Sequence, residues 1–328
     1  MKRHFLTAAL LLCMLAATAC THSGDRTGKG VARTVILDTD LGNSLDDLLA
    51  LAILYKAQSE GKVSLAAVMV NHDVPQAPLC ADIMNRFYGF PDIPVGMVQG
   101  GVSDSYIWED YAPLLCGCRS FTAGMAEEGS FPDATALYRR TLAQAPDHSV
   151  TILSIGFLTN LARLLESGPD EHSPLDGTQL VRRKVKGVTA MCGSEEKVEY
   201  NTQYDVAAAI TVFAKMPVRM DIVPSEVHLD IPTSDINSAT SWADPHPLAL
   251  AWTTHSPEDP NLCWDAVAAM ACLERAEVTC SAPCRITLDD SGVMKVDRSA
   301  TDGLFRLISM TGIQHDTMRE RVLQDLKK

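Results

Sequence analysis

The sequence predicts an α/β fold in which helices cover both faces of a mostly parallel central sheet, with a small β-hairpin near the C-terminus. Three observations lead there. Short apolar runs of strand length recur from residue 34 onward, each closed by turn residues. Between them lie longer segments whose apolar residues repeat at helical spacing, and that alternation is the signature of a sheet covered on both faces. Near the end, an apolar stretch over 286–296 is broken by Asp289-Asp290-Ser291-Gly292, a hairpin turn.

The elements follow in order. Residues 34–37 form a first buried strand and 46–57 a helix. Residues 63–70 form a second strand, closed by Asn71-His72-Asp73, and 77–88 a second helix. A third strand spans 93–98. The Gly-, Ser- and Cys-rich stretch over 100–132 reads as an irregular excursion. A helix over 134–145 leads to a strand over 150–155, which a helix through residue 165 follows. Residues 187–192 form a strand, 205–215 a helix and 218–223 a strand. Helices are predicted over 247–254 and 264–274, and an exposed amphipathic helix from residue 315. In such sheets ligands bind beyond the carboxyl ends of the strands, so polar residues at strand ends are the candidates for chemistry.

The N-terminus reads as a targeting segment. Lys2, Arg3 and His4 precede an almost wholly apolar run over 5–19, and Ala17-Thr18-Ala19-Cys20 places small residues before a cysteine. A bilayer span wants roughly 20 apolar residues, so a cleaved leader fits better. The cysteine gives it the look of a bacterial lipoprotein signal over 1–20, with Cys20 as the lipidated residue; an ordinary signal with an incidental cysteine is the alternative. Residues 21–33, rich in Gly, Ser and charge, read as a flexible tether, and 34–328 as one domain. The expected location is the bacterial envelope, periplasmic or surface side, with membrane attachment through the lipid alone. Removing Lys2 and Arg3 from the 28 basic residues leaves 26 against 41 acidic ones, a net charge of −15. So acidic a surface argues against nucleic acid as a partner. Export permits disulfides, and Cys280 and Cys284, flanking Ser-Ala-Pro, are the best candidates for a local bridge. Cys116-Gly-Cys118 has no Cys/His partner pair at zinc spacing. Cys192, Cys263 and Cys272 are expected to be buried thiols.

The first strand runs into Asp38-Thr39-Asp40-Leu41-Gly42-Asn43-Ser44-Leu45-Asp46-Asp47, four carboxylates within ten residues. Crowded like charges cost free energy unless a cation neutralises them, and a hard ion with oxygen ligands, calcium or magnesium, suits them. A solvated helix N-terminus with surplus acid is the plainer reading. The macrodipole would favour Asp46 and Asp47 in a first helical turn. An EF-hand does not fit, because a strand precedes the loop and the closing acidic position is missing.

This segment resembles the inosine-uridine preferring nucleoside hydrolase family, in the branch whose fingerprint is Asp-x-Asp-x-Gly-Asn-Asp-x-Asp-Asp. Ser44 stands where that branch usually carries Asp. Further matches follow in order. Val68-Met69-Val70-Asn71 resembles the second strand, whose Asn contacts the sugar. Residues 151–162, with Ile155-Gly156 and Leu158-Thr159-Asn160-Leu161-Ala162, resemble the segment whose residue before the glycine gives its carbonyl to calcium. Met191-Cys192-Gly193, Glu199-Tyr200-Asn201 and Asp205 resemble the Met-Gly-Gly, Glu-Phe-Asn and Asp segments, with Cys192 in place of a usual glycine. Trp264-Asp265 resembles the last calcium position, where many members have His before the Asp.

The resemblance implies a calcium-dependent enzyme that hydrolyses the N-glycosidic bond of a ribonucleoside or related N-riboside. It implies that Asp40, Asp47, Asp265 and the Ile155 carbonyl bind the ion and that Asp40 acts as general base. Asp46, Asn71, Glu199 and Asn201 would orient the sugar, and Asp38 would hold the loop by hydrogen bonds. Trp264 either stacks on the base or belongs to the core. With Trp264 in place of His, no general acid is evident. His72 reads more readily as a solvated loop residue than as a site residue, and His246 and His255 as surface residues. Family members are often dimers or tetramers, which allows a homo-oligomer by analogy. Two other functions compete. One is a lipid-anchored sugar- or nucleoside-binding protein without turnover, which Ser44, Cys192 and Trp264 keep open. The other is a haloacid dehalogenase-type phosphatase, which also begins with a strand and Asp-x-Asp but fits Leu41-Gly42-Asn43 and the Asp46-Asp47 pair poorly.

Overall fold

The computed structural model describes residues 32–256, 261–273 and 278–328. The leader, Cys20 and nearly all of the tether expected from the sequence lie outside the described residues. Among the described residues no helix is long and apolar enough to cross a membrane.

The chain folds as β1 (Arg33–Thr39), α1 (Asp46–Ser59), β2 (Val63–His72), α2 (Gln76–Phe87), β3 (Val95–Val102), α3 (Ala112–Gly117), α4 (Ala134–Gln144), β4 (Val150–Ser154), α5 (Thr159–Glu166), α6 (Gly177–Lys184), β5 (Val185–Met191), α7 (Tyr200–Gln203), α8 (Val206–Lys215) and β6 (Met220–Val223). It continues as β7 (Leu229–Asp230), α9 (Thr233–Ala239), α10 (Pro247–Ala251) with a 3₁₀ turn over Trp252–Thr254, β8 (Leu262–Cys263), α11 (Trp264–Cys272), β9 (Thr279–Cys280), β10 (Arg285–Leu288), β11 (Met294–Asp297), β12 (Phe305–Ser309) and α12 (Gly312–Asp325).

The main sheet has the order β3-β2-β1-β4-β5-β6-β12-β9. All neighbours are parallel except β9, which pairs antiparallel with β12 at one edge. From β1 the chain winds outward through β2 to β3, then returns to lay β4 on the other side of β1. The crevice for a ligand in a doubly wound sheet opens at that reversal, beyond the carboxyl ends of β1 and β4. The two-residue period of a strand divides the core in two. Val35, Leu37, Val68 and Val70 face one cluster with α1, α2 and α11, whereas Ile36, Ala67, Met69 and Ile152 face another with α4, α5, α6 and α8. Helix α1 is apolar nearly all round, because it is sandwiched between the sheet and α11.

The predicted hairpin forms as β10 and β11. Elsewhere the structure corrects the sequence reading. The stretch over 100–132 is not wholly irregular: β3 continues to Val102, and α3 forms with proline in its first turn, where the missing N–H costs nothing. Strand β12 joins the main sheet, tied to β6 by Arg306, whose guanidinium makes two 2.7 Å contacts with the Asp221 carboxylate. Helix α12 is not simply exposed, since Met318, Val322 and Leu326 enter the core beside α1 while Ile313 stays in solvent. Cys280 and Cys284 are not bridged: Cys280 pairs with Ile308 across the sheet edge, and the Cys284 thiol donates to the Phe305 carbonyl at 3.3 Å.

Candidate functional site

The loop between β1 and α1 is buried almost throughout, and with it Asp38, Asp40, Asp46 and Asp47. Gly42 has φ +91°, a left-handed conformation that a side chain resists, and its N–H donates to the Tyr111 hydroxyl at 2.6 Å. That turn brings the chain from the strand end to the start of α1. Helix α11 packs along α1, so the first turns of the two helices meet, and one carboxylate oxygen from each of Asp46, Asp47 and Asp265 lies within 4.8 Å of the others. Helix α11 has no side-chain cap of its own. Asp46 supplies it from α1: its Oδ2 accepts the Trp264 and Asp265 N–H groups at 2.8 and 3.0 Å. Ser44 donates to Asp46 at 2.6 Å and to Asp47 at 3.3 Å, and Thr39 donates to Asp47. Asn43 holds Asp40 at 2.7 Å.

Burial raises the pKa of every one of these acids. Asp38 and Asp40 are pushed up to about 7, Asp46 is raised, and Asp47 and Asp265 stand well above the usual carboxylate range, with their acidic neighbours adding to the shift. So dense a set of buried carboxylates is stable as anions only beside a positive charge. The donors suit a hard divalent cation. They are all oxygens, and the side-chain carbonyls of Asn43 and Asn201 are buried without a hydrogen-bond partner.

Asp38 lies deeper. It accepts hydrogen bonds from Asn71 at 2.8 Å, Tyr138 at 2.9 Å and Asn160 at 3.0 Å. Asn71 is fully buried, with its oxygen taken by the Phe157 N–H at 3.0 Å, and it does not line the cavity described next. A Cβ on Gly156 would sit 2.5 Å from the Asp40 nitrogen and 2.6 Å from the Asn71 oxygen, so β4 passes against the acidic loop only because that residue is glycine.

A cavity of about 640 Å³ opens over this cluster, a size that takes a small organic molecule. Asp40, Asp46, Asp265, Ile155, Glu199, Asn201 and Trp264 line it; of the expected ion and sugar residues, Asp47 lies behind the wall but within the acidic cluster, and Asn71 lies behind the wall. Glu199 begins α7 and is fixed by the Gly193, Asn201 and Thr202 N–H groups at 2.8, 2.8 and 3.1 Å. The Asn201 amide donates to the Met191 carbonyl at 3.1 Å and approaches the Ile155 carbonyl at 3.5 Å. Cys192 points into the core rather than the cavity. Trp264 forms wall, half-buried, with its indole N–H on the Ser225 carbonyl at 2.8 Å.

The histidines differ from expectation. His72 is fully buried, 3.2 Å from the Ser105 hydroxyl, and not a solvated loop residue. His246 is buried as the cap of α10, which lowers its pKa to about 4. His255 lines the cavity with its side chain only 6% exposed, and its Nδ1 lies 3.3 Å from Glu109 Oε1. Sequence reasoning also missed Tyr106, Trp108 and Glu109, which reach the cavity from the segment after β3. Tyr106 and Trp108 meet edge to face at 5.1 Å and are 60% and 61% exposed at its mouth. Their one signal is the dense aromatic run Tyr106-Ile107-Trp108 beyond a strand's carboxyl end.

Over residues 35–322 the sequence matches the profile of the inosine-uridine preferring nucleoside hydrolases. No curated protein sequence matches it. Among solved structures, the chain resembles an inosine-uridine preferring nucleoside hydrolase from Bacillus anthracis (TM-score 0.68, 15% identity, 89% of this chain and 99% of that one). It also resembles the plant nucleoside hydrolase PpNRh1 (0.68, 19%, 90% and 98%). A third likeness is to a purine-preferring ribonucleoside hydrolase from Gardnerella vaginalis (0.66, 14%, 90% and 99%). At these identities the structural likeness is one of fold.

Proposed function

Since the chain belongs to the inosine-uridine preferring nucleoside hydrolase family and is thereby an N-ribosyl hydrolase, we propose that it cleaves a ribonucleoside or a closely related N-riboside, releasing base and ribose, with calcium as the bound ion. Family membership decides against the phosphatase reading of Asp38-Thr39-Asp40. The observation that carries the proposal is the convergence of Asp46, Asp47 and Asp265 at two helix N-termini beside a cavity of nucleoside size.

Asp40, Asp47, Asp265 and the Ile155 carbonyl would hold the ion. When bound, calcium supplies the positive charge that lets these carboxylates ionise together and makes a coordinated water more acidic. The chain's own groups do the rest. Glu199, immobilised by three backbone N–H groups, and Asn201 orient the sugar hydroxyls, with Asp46 beside them. Asp40, steadied by Asn43, takes a proton from the water that attacks C1′. As the C1′–N bond lengthens, positive charge grows on the ring, and the surrounding carboxylates stabilise it. Asn71, held between Asp38 and Phe157, sets the position of the Asp40 loop from below rather than touching the sugar. Trp264 and the aromatic mouth supply flat apolar surface for a base.

The test is release of reducing sugar from a panel of nucleosides by a chain beginning after Cys20, with calcium, with chelator, and with Asp47→Asn. Turnover lost in the last two supports the proposal. Calcium binding without turnover on any riboside would favour a binding protein, and absence of calcium binding would overturn the site assignment. We also propose attachment to the bacterial envelope through lipid on Cys20; incorporation of labelled palmitate that survives Cys20→Ser would refute it.

A further inference from the structure

Helices α2 and α3 stand behind the turn that sets the acidic loop. A Cβ on Gly42 would lie 3.8 Å from the Ala77 Cβ and 3.9 Å from the Ala112 Cβ, so the first turns of both helices back onto that residue. Tyr111, the residue before α3, accepts the Gly42 N–H at 2.6 Å. Helical residues three or four apart share a face. Cys80 therefore follows Ala77 one turn along α2, and Cys116 follows Ala112 one turn along α3. The two thiols meet there as hydrogen-bond partners, one helical turn behind Gly42.

The two sulfurs are unequal. Cys80 is fully buried in the core that α1, α2 and Tyr111 share, whereas Cys116 is half-buried at the edge of that core. The hydrogen bond from Cys80 lowers the Cys116 thiol below its ordinary range. The same contact, with burial added, pushes Cys80 well above that range. Thiolate is the nucleophile in thiol–disulfide exchange, so Cys116 is the sulfur that meets an oxidant and Cys80 the sulfur that resolves the product. Neither lines the cavity, and neither has a part in the proposed hydrolysis.

We propose that Cys80 and Cys116 are a redox pair that closes to a disulfide, with a small-molecule disulfide of the glutathione class as oxidant, and that the closed bond ties α2 to α3 and holds the Gly42 turn. The Cys116 thiolate attacks one sulfur of glutathione disulfide. A mixed disulfide forms and one glutathione thiolate leaves. Cys80 loses its proton to solvent, attacks the Cys116 sulfur and expels the second glutathione thiolate. Two protein thiols are oxidised, one glutathione disulfide is reduced to two glutathiones, and the leaving thiolates take up the protons released. The bond closes the stretch of chain that contains β3, which removes freedom from the unfolded state. In the folded state it keeps the first turns of α2 and α3 against Gly42. The inference stands apart from the hydrolase reading, because no step of it uses the ion or a substrate.

The experiment treats the full-length chain, without added metal, with glutathione disulfide or with excess dithiothreitol. Three readouts follow: peptide mapping by mass spectrometry after alkylation, thermal unfolding, and amide hydrogen exchange over residues 38–47. Oxidation should give peptides linked through Cys80 and Cys116, a melting temperature higher by on the order of 5–10 °C, and slower exchange over 38–47. Dithiothreitol should reverse all three. Cys116→Ser should lose the linkage and both shifts, whereas Cys118→Ser should keep them. If Cys116→Ser misfolds, Cys80→Ala carries the comparison, and mapping of the native chain stands without either variant. A native chain that stops at the mixed disulfide, or that links Cys116 or Cys80 to Cys118 instead, would overturn the pairing. Linkage of Cys80 to Cys116 with unchanged exchange over 38–47 would overturn the hold on the Gly42 turn.

Discussion

Gly156→Ala is the sharpest perturbation of the site, because one methyl group meets three fixed atoms. An added Cβ would lie 2.5 Å from the Asp40 nitrogen, 2.6 Å from Asn71 Oδ1 and 2.7 Å from Asp40 Oδ1. Each gap must open by several tenths of an ångström to reach ordinary van der Waals contact. None of these atoms is the loose end of a flexible chain. The Asp40 backbone follows directly from β1, where the Ile155 N–H bonds the Asp38 carbonyl at 2.7 Å, and Asn71 is held by Asp38 and the Phe157 N–H. The strain therefore goes into separating β4 from the acidic loop. Overpacking of this kind costs about 1–3 kcal/mol, which corresponds to a fall in melting temperature of about 2–12 °C. The same shift moves Asp40 relative to the Ile155 carbonyl, and displacement of a reacting group by about 1 Å costs on the order of 10²-fold in rate. Thermal unfolding with and without calcium, calcium titration and kcat/KM on the best nucleoside read the three consequences separately. Gly168→Ala, where a Cβ meets nothing within 4 Å and φ is ordinary, is the control. A Gly156→Ala enzyme with native calcium affinity and native kcat/KM would refute the claim that this glycine seats the catalytic loop, even if its melting temperature fell.

The pH dependence of the metal-free protein follows from the acid cluster. Asp38 and Asp40 titrate near 7 when folded against 3.8 as free groups, so the folded state holds protons that the unfolded chain releases; this stability is complete below about 3.8 and is lost as pH rises through about 7. His246 and His72, lowered by burial, act oppositely below 6.5, so the clean window lies above it: the melting temperature should fall between about pH 6.5 and 8 without metal and stay nearly level with saturating calcium. A metal-free protein that gained stability over that range would contradict the burial assigned to the cluster. Tyr138→Phe removes the 2.9 Å hydrogen bond to Asp38 while leaving those from Asn71 and Asn160; in urea unfolding above about pH 8, where Asp38 is ionised, it should cost about 1.5–3 kcal/mol, the value of a bond to a charged acceptor. An unchanged midpoint would mean that Asp38 does not depend on its three donors.

What could be read from the sequence was what lies close along the chain. Asp38 to Asp47 fall within a single turn between a strand and a helix, so their joint burial beside a strand end follows from local pattern alone. The alternation of apolar runs placed most of the main sheet and the hairpin in the same way. Strand β12 escaped notice because five residues interrupted by Arg306 do not form an apolar run; only the partner Asp221, 85 residues away, shows why an arginine sits there. Helix α12 appeared exposed because its buried side chains are few, and their neighbours on α1 lie far back in the sequence.

The division of labour among the acids shows the limit more closely. Asp46 and Asp47 are adjacent and chemically identical, yet successive helical residues point about 100° apart. One therefore faces the cavity and caps α11, while the other turns inward to Thr39. That difference depends on where α11 begins, more than two hundred residues later. The same holds for His255 and Glu109, which are 146 residues apart and belong to no local motif. Taken singly, a histidine after a helix and a glutamate in a loop are ordinary surface residues, and only the fold brings their two segments together at the cavity. Local pattern thus located the acidic cluster and most of the cavity floor, because those residues come from strand ends and helix starts. The other side of the cavity, with Tyr106, Trp108, Glu109 and His255, is built by segments far apart in the chain, so it becomes readable only once the fold has brought them together.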